Sequence, residues 1–316
     1  MAGFILRRLG VLLLTLFIAS VIIFALLEVI PGDPALTMLG INATPETLTV
    51  LRDELGLNAN ALSRYLAWMG GMLTGDFGLS YTYRTPVAEL LAHRMAITLP
   101  LAIYALFFTV MIALPFGFLA GARAGKWGDR VILFLSQIGI ALPNFWFALL
   151  LIFVFAIQLG WVSAGGFSGW DKGLWQGLAE LTLPAIALAI PQATILLRVL
   201  RSGLIEITHQ DYIRTARAKG LSRDQALWRH GWRNALIPVV TIMGMQFSFL
   251  IAGAIIIENV FTLPGLGRLM VQAIGQRDII LVEAIILMMV LIVITVTFIT
   301  DVIYALIDPR LRRPKP

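Results

Sequence analysis

Cysteine is absent from the 316-residue chain. That excludes a disulfide framework, a thiolate metal site and a thiol nucleophile. Histidine is almost as scarce. His93, His209 and His230 stand far apart, never at the H-x-x-x-H spacing that presents two ligands to one metal. No G-x-x-x-x-G-K-[ST] stretch occurs, so the chain lacks the P-loop that cradles nucleotide phosphates. Charge is thin as well: 13% of residues are charged, against about a quarter in a soluble domain. What the chain has instead is apolar residues, 59% of the total with a mean hydropathy of +0.88. They fall in long runs, and a run of about 20 residues is what one bilayer crossing takes. A net charge of +6 is also found in nucleic-acid-binding chains, but here the basic residues sort by membrane side, and no nucleic-acid partner is expected.

The runs predict an all-α integral membrane protein, residues 1–316 forming one transmembrane domain with six helices. The spans fall at about 9–29, 98–122, 131–158, 179–200, 235–257 and 281–306. Helices are required, because lipid offers no partner for an open backbone amide or carbonyl. The first run exceeds the apolar core of a signal peptide and lacks a clear A-x-A cleavage site, so it is expected to stay as a span. With the N-terminus inside, 17 of the 24 lysines and arginines lie on the inner side. The positive-inside rule then puts both termini in the cytoplasm.

Residues 31–97 form an external segment between the first two spans. Its amphipathic stretches at 46–55 and 61–73 predict short helices on the outer face. They could serve as a cover over helix ends or as a docking surface. A shorter external loop, 258–280, carries a turn at Pro264-Gly265 and Gly267, then an amphipathic run. Gly265-x-Gly267 is not a dinucleotide fingerprint, because no strand precedes it and the third glycine is missing.

The most structured polar stretch lies in the cytoplasmic loop 201–234. Asp211 is suited to start a helix, accepting from free amides. Good helix formers follow through Lys219, and Gly220 can take the left-handed conformation that ends a helix. Leu221 can fold back as an apolar plug. Ser222-Arg223-Asp224-Gln225 reads as a capping box opening a second helix, and Pro238 heads the next span. Tyr212, Thr215, Ala216 and Lys219 are expected on one face. Such ordered polar structure points to a docked partner; the alternative is a solvated basic loop near anionic lipid.

At these residues the chain resembles the permease subunits of binding-protein-dependent ABC importers, in the dipeptide, oligopeptide, glutathione and nickel branch. The family's Glu-Ala-Ala-x-x-x-Gly signature reads here Arg214-Thr215-Ala216 with Gly220 at the right distance, a form this branch favours. The closing element is Ala235-Leu236-Ile237-Pro238. Pro31-Gly32-Asp33-Pro34, Gly75-Asp76-Phe77-Gly78-Leu79-Ser80, Glu258-Asn259-Val260-Phe261, Pro264-Gly265-Leu266-Gly267 and Asp308-Pro309-Arg310 extend the likeness over nearly the whole chain. The resemblance implies a type I importer fold in a bacterial or archaeal cytoplasmic (inner) membrane. It implies coupling to an ATPase subunit through Tyr212, Arg214, Thr215, Ala216, Lys219 and Gly220. It also implies a heterodimer with a second, related permease, two ATP-binding subunits that hold ATP and Mg, and an external substrate-binding protein. The chain itself would carry no cofactor and catalyse nothing.

The pathway is faintly marked. Gln137, Asn144, Gln192 and Gln246 are polar residues within spans, near Pro143 and Pro191, and such residues usually face the protein interior. Gln192 and Gln246 are the pathway candidates; the alternative is hydrogen bonding between helices. Asp301 lies near the inner end of the last span and is expected to reach the interface. A secondary transporter or channel acting alone would call for midplane charges or an inverted repeat, and neither is visible. An intramembrane protease would need a Ser-His pair or a metal motif within spans. Peptides are the first expectation for cargo, with glutathione, nickel and oligosaccharides as alternatives.

Overall fold

The computed structural model describes residues 2–29, 34–40, 43–54 and 56–307. Among the described residues, helices are the only regular elements apart from one isolated antiparallel bridge between Leu79 and Pro86. In chain order these are α1 (Ala2–Val29), α2 (Pro34–Leu39), α3 (Pro45–Glu54), α4 (Ala61–Thr74) and α5 (Val87–Ala122). Then come α6 (Trp127–Ala141), α7 (Asn144–Leu151), α8 (Leu174–Thr208), α9 (Asp211–Ala218) and α10 (Arg223–Ala226). The chain continues with α11 (Trp232–Val260), α12 (Leu266–Gly275) and α13 (Ile279–Ile307). Pro31-Gly32-Asp33 and Asp308-Pro309-Arg310 lie outside the described residues.

Among the described residues, five helices are long and apolar enough to cross a membrane: Gly3–Glu28, Val87–Ala122, Leu174–Thr208, Arg223–Val260 and Ile279–Ala305. The third span, expected as one helix over 131–158, is a bent pair. α6 and the helix Asn144–Gln158 meet at 103°. The cause is Pro143, which pushes the residue before it out of the α region. Leu142 is extended at φ −82°, ψ 126°, and Pro143 opens the following helix. The last part of that helix, Ile152–Gln158, is π-helical.

The chain packs as two compact units. The first comprises Met1–Ile5, Leu99–Leu263 and Val296–Pro316. Its centre is α8, whose most apolar window is 61% buried. α6, α7 and α11 pack around it. α5 approaches closely where Gly117 and Gly121 face Leu200 and Leu204. This is the small-xxx-small device that lets two helix backbones near each other without water to drive them together.

The second unit comprises Leu6–Thr98 and Pro264–Thr295. The two short helices expected over 46–55 and 61–73 are there as α3 and α4. Asn60 caps α4 by accepting from the Ser63 amide, and Gly75 ends it in the left-handed conformation at φ 83°. α4 docks on α1 through one stripe of residues. Ser20 is hydrogen-bonded to Tyr65 at 2.9 Å, Phe24 packs on Tyr65 and Trp68, and Glu28 pairs with Arg64. Residues 20, 24 and 28 recur every four positions, so they share one face of α1.

Candidate functional site

The polar segment of the first unit resolves into a short helix held between two long ones. α8 runs on to Thr208, past the expected loop boundary at 201. The helix opened by Ser222 does not stop before the fifth span. It continues through a π-helical turn, Leu227–Gly231, into α11, so that Arg223–Val260 is one run. Pro238 therefore lies inside α11, not at its head. Only residues 209–222 separate the two long helices, and α9 fills most of that stretch.

Both ends of α9 are fixed locally. Gly220 has φ +95°, a region that costs a side-chain-bearing residue about 1–2 kcal/mol. The Gly220 amide donates to the Arg217 carbonyl at 3.0 Å and the Leu221 amide to the Ala216 carbonyl at 3.4 Å. These are the two bonds of a Schellman stop. Beyond it the expected capping box is present in both directions: Gln225 amide to Ser222 Oγ at 3.3 Å, and Ser222 amide to Gln225 Oε1 at 3.0 Å. The start of α9 departs from expectation. Gln210 holds the cap position and its side chain makes no capping bond. Asp211 is the first helical residue, and its carboxylate accepts from Arg214 at 3.5 Å instead of from backbone amides.

Tyr212, Arg214, Thr215, Lys219 and Gly220 are exposed, whereas Ala216 is buried. Ala216 thus leaves the outward face on which its spacing had placed it. It joins Ile213, which is wholly buried, in a cluster with Leu204 and Ile207 of α8, Ala226 and Leu227 of the next helix, and Ala235 and Val239 of α11. Leu221 packs against the same cluster. A polar tie adds to the apolar one: Asn234 of α11 donates to the Tyr212 hydroxyl at 3.0 Å. Thr215 Oγ1 donates back to the Asp211 carbonyl at 2.9 Å. The result is a bare, mostly basic face on a helix anchored from behind.

A second clasp lies nearby on α8. Arg201 donates two hydrogen bonds to Asp129, at 2.6 and 2.8 Å, and the Asp129 carboxylate also accepts from the Gly125 amide at 2.7 Å. Asp129 is 2% exposed. Such bidentate, charge-assisted geometry fixes the start of α6 to α8. Arg198, one turn away, donates to Ser136 and Gln137, so Gln137 is held at a helix contact.

Gln192 and Gln246 do come together. Gln246 Nε2 donates to the Gln192 backbone carbonyl at 2.8 Å, and both residues are buried. This is the helix-to-helix hydrogen bond weighed as the alternative, joining α8 to α11. Both side-chain Oε1 atoms are buried without a partner.

In the second unit, two motifs far apart in sequence meet at Asp278, which is fully buried. Ser80 Oγ donates to its Oδ2 at 2.6 Å and the Thr82 amide to the same oxygen at 3.0 Å, while the Leu281 amide donates to Oδ1 at 3.2 Å. One carboxylate therefore starts α13 and holds the end of the Gly75–Ser80 motif. Within that motif Asp76 accepts from the Gly78 amide at 3.0 Å. Thr98 Oγ1 accepts from the Leu266 amide at 2.8 Å. Ile213, Asn234, Asp129 and Asp278 were not singled out by sequence. The signals were a lone isoleucine in a basic run and aspartates just before apolar helical runs.

The comparisons agree with this architecture. The family model described as binding-protein-dependent transport system inner membrane component matches residues 113–313, and its N-terminal companion matches residues 1–102. The chain is 37% identical over 312 residues to the glutathione transport system permease protein GsiC of Escherichia coli strain K12, covering 99% of both chains. It is 36% identical over 312 residues, again with 99% of both covered, to a Brucella abortus strain 2308 protein that carries the name of a peptide transport system permease. Among solved structures, the MetNI methionine ABC transporter in inward-facing form shares the fold. Its TM-score is 0.57 at 21% identity, covering 69% of this chain and 96% of that one. An amino acid ABC transporter crystallised with histidines matches at TM-score 0.51 and 20% identity, covering 70% of this chain and 94% of that one. With five helices among the described residues long and apolar enough to cross a membrane, and one bent pair besides, the chain belongs to the family of binding-protein-dependent transport system inner membrane components, permeases of the bacterial inner membrane.

Proposed function

We propose that this permease forms half of the translocation pathway of an ATP-driven importer, and that α9 transmits the force. The supporting observation is the anchoring of α9. Ile213 and Ala216 bury its inner face against α8 and α11, Asn234 ties its Tyr212, and Gly220 stops it rigidly. A helix clamped to two membrane-length helices moves with them, whereas a loose loop would absorb the displacement. Its exposed residues Tyr212, Arg214, Thr215 and Lys219 offer a surface to an ATP-binding subunit. ATP and Mg would be held by two such subunits, because the chain has no P-loop of its own.

A second, related permease completes the pathway, and a soluble binding protein delivers cargo to the outer face, on 31–97 and 258–280. Both termini and the 201–234 segment are then cytoplasmic. The charge bias supports that orientation. Peptides are the first cargo on this reading, with glutathione next, following the names of the relatives. Nickel and oligosaccharides remain further arms of the test.

The experiment is reconstitution of the chain with its neighbouring permease, ATP-binding subunits and binding protein in liposomes. Dipeptides, longer peptides, glutathione, nickel and oligosaccharides are screened for stimulation of ATP hydrolysis and for uptake. Peptide-stimulated hydrolysis coupled to uptake is expected. Uptake by the purified chain alone, without ATP, would overturn the reading.

A further inference from the structure

The second unit holds a cavity of about 540 Å³ that the transport reading leaves unused. Phe24, Glu28, Arg64, Trp68, Tyr81 and Glu283 are among the residues that line it. Arg64 is already committed: it pairs with Glu28 and donates to the Leu57 carbonyl at 3.3 Å. Glu283 is 8% exposed. Glu28 and Arg64 are the charges that act on it, yet among the described residues none donates a hydrogen bond to its carboxylate. One guanidinium cannot neutralise two carboxylates. A carboxylate this deep with no protein donor takes its partners from the cavity: water, a proton or a cation.

The surroundings define the cation. Glu283 needs N–H donors, which an ammonium with hydrogens has and a quaternary one lacks. Phe24, Trp68 and Tyr81 supply aromatic walls, which favour a cation over their faces. Two donors beside the cavity, Arg64 Nε and Trp68 Nε1, are buried without an acceptor. They call for an anionic oxygen next to the ammonium. The depth is informative too. Glu28 closes the span Gly3–Glu28, and Glu283 lies in the first turns of the span Ile279–Ala305. The cavity therefore sits where apolar spans give way to the headgroup zone. On α4, which lines the cavity through Arg64 and Trp68, Leu62, Leu66 and Leu73 are 68%, 60% and 82% exposed.

We infer that this cavity binds a primary ammonium joined to an anionic group, and that its source is the headgroup of an ethanolamine phospholipid. A free zwitterion, such as a dipeptide, shares the chemistry.

The test uses the full chain purified with its partner subunits. Native mass spectrometry counts retained phosphatidylethanolamine against phosphatidylcholine, and thermal unfolding in lipid-depleted detergent is followed with dialanine or glycerophosphoethanolamine added. Wild type should retain phosphatidylethanolamine at least tenfold over phosphatidylcholine. Glu283→Gln, which keeps the shape, should lose that preference while remaining as stable as wild type in lipid-depleted detergent. Trp68→Phe should weaken retention about threefold. Stabilisation by dialanine alone, lost in Glu283→Gln, would keep the ammonium site and overturn the lipid source. Equal retention of both lipids with no effect of either soluble probe, or an unchanged preference in Glu283→Gln, would overturn the site.

Discussion

The segment around α9 and the segment around Asp278 are both short connections between membrane-length helices, yet they are built on opposite principles. α9 turns its apolar residues inward and leaves its polar face bare. Ile213 is the anchor, and a side-chain hydrogen bond from Asn234 to Tyr212 ties α9 to α11. The stretch around Asp278 is held by polar groups turned inward. One buried carboxylate takes donors from Ser80, Thr82 and Leu281. Beside it, burial first and then the Glu283 and Asp278 carboxylates hold the Tyr81 hydroxyl above its ordinary range. Apolar anchoring tolerates small shifts, because dispersion contacts fall off gradually. A buried carboxylate with three donors has one geometry and is costly to disturb. The first construction suits a part that moves, the second a part that stays put.

The largest expected effect breaks the second region. Asp278→Ala leaves a buried hydroxyl and two amides without an acceptor, about 1–3 kcal/mol for each group left unsatisfied. Loss of the purified protein's thermal transition, or a drop of many degrees, is the expected readout. A variant as stable as wild type would show that water replaces the carboxylate and that the region is not rigid. Next comes Ile213→Ala, which opens a hole beneath α9 at about 2–5 kcal/mol locally. On the proposed mechanism, ATP hydrolysis continues in the assembled transporter while uptake falls. Uptake and hydrolysis falling in equal measure would instead mean lost assembly.

Gly220→Val is smaller in energy. No atom lies within 4 Å of the added Cβ, so the effect is backbone strain alone, about 1–2 kcal/mol. Membrane insertion should be unchanged, and the ratio of substrate moved to ATP hydrolysed should fall. Normal uptake in this variant would remove Gly220 from the coupling role. Tyr212→Phe is the mildest. It deletes one partly exposed hydrogen bond, about 0.5–1.5 kcal/mol, and should lower uptake about twofold with stability nearly unchanged. If it equals Ile213→Ala in effect, the polar tie and not the apolar anchor holds α9.

Much of this was legible in the residues. The Gly220 stop and the Ser222–Gln225 capping box follow from local backbone chemistry, and both are present as read. The short helices α3 and α4 followed from amphipathic spacing in the same way. Ala216 was misplaced because a helix of eight residues has no independent sense of inside and outside; its neighbours α8 and α11 set that. The bend at Pro143 was marked by the proline itself, but apolar content alone ran the span straight through it.

By itself the sequence determined that the chain lives in a membrane and which short segment is stopped and capped. Those are matters of apolar length and of bonds between near neighbours. Tertiary structure alone decided that Ile213 is the anchor of α9, that Gln246 reaches the Gln192 carbonyl, and that Ser80 meets Asp278 across 198 residues. Burial and long-range donors exist only once distant helices are side by side, so no local pattern fixes these pairings.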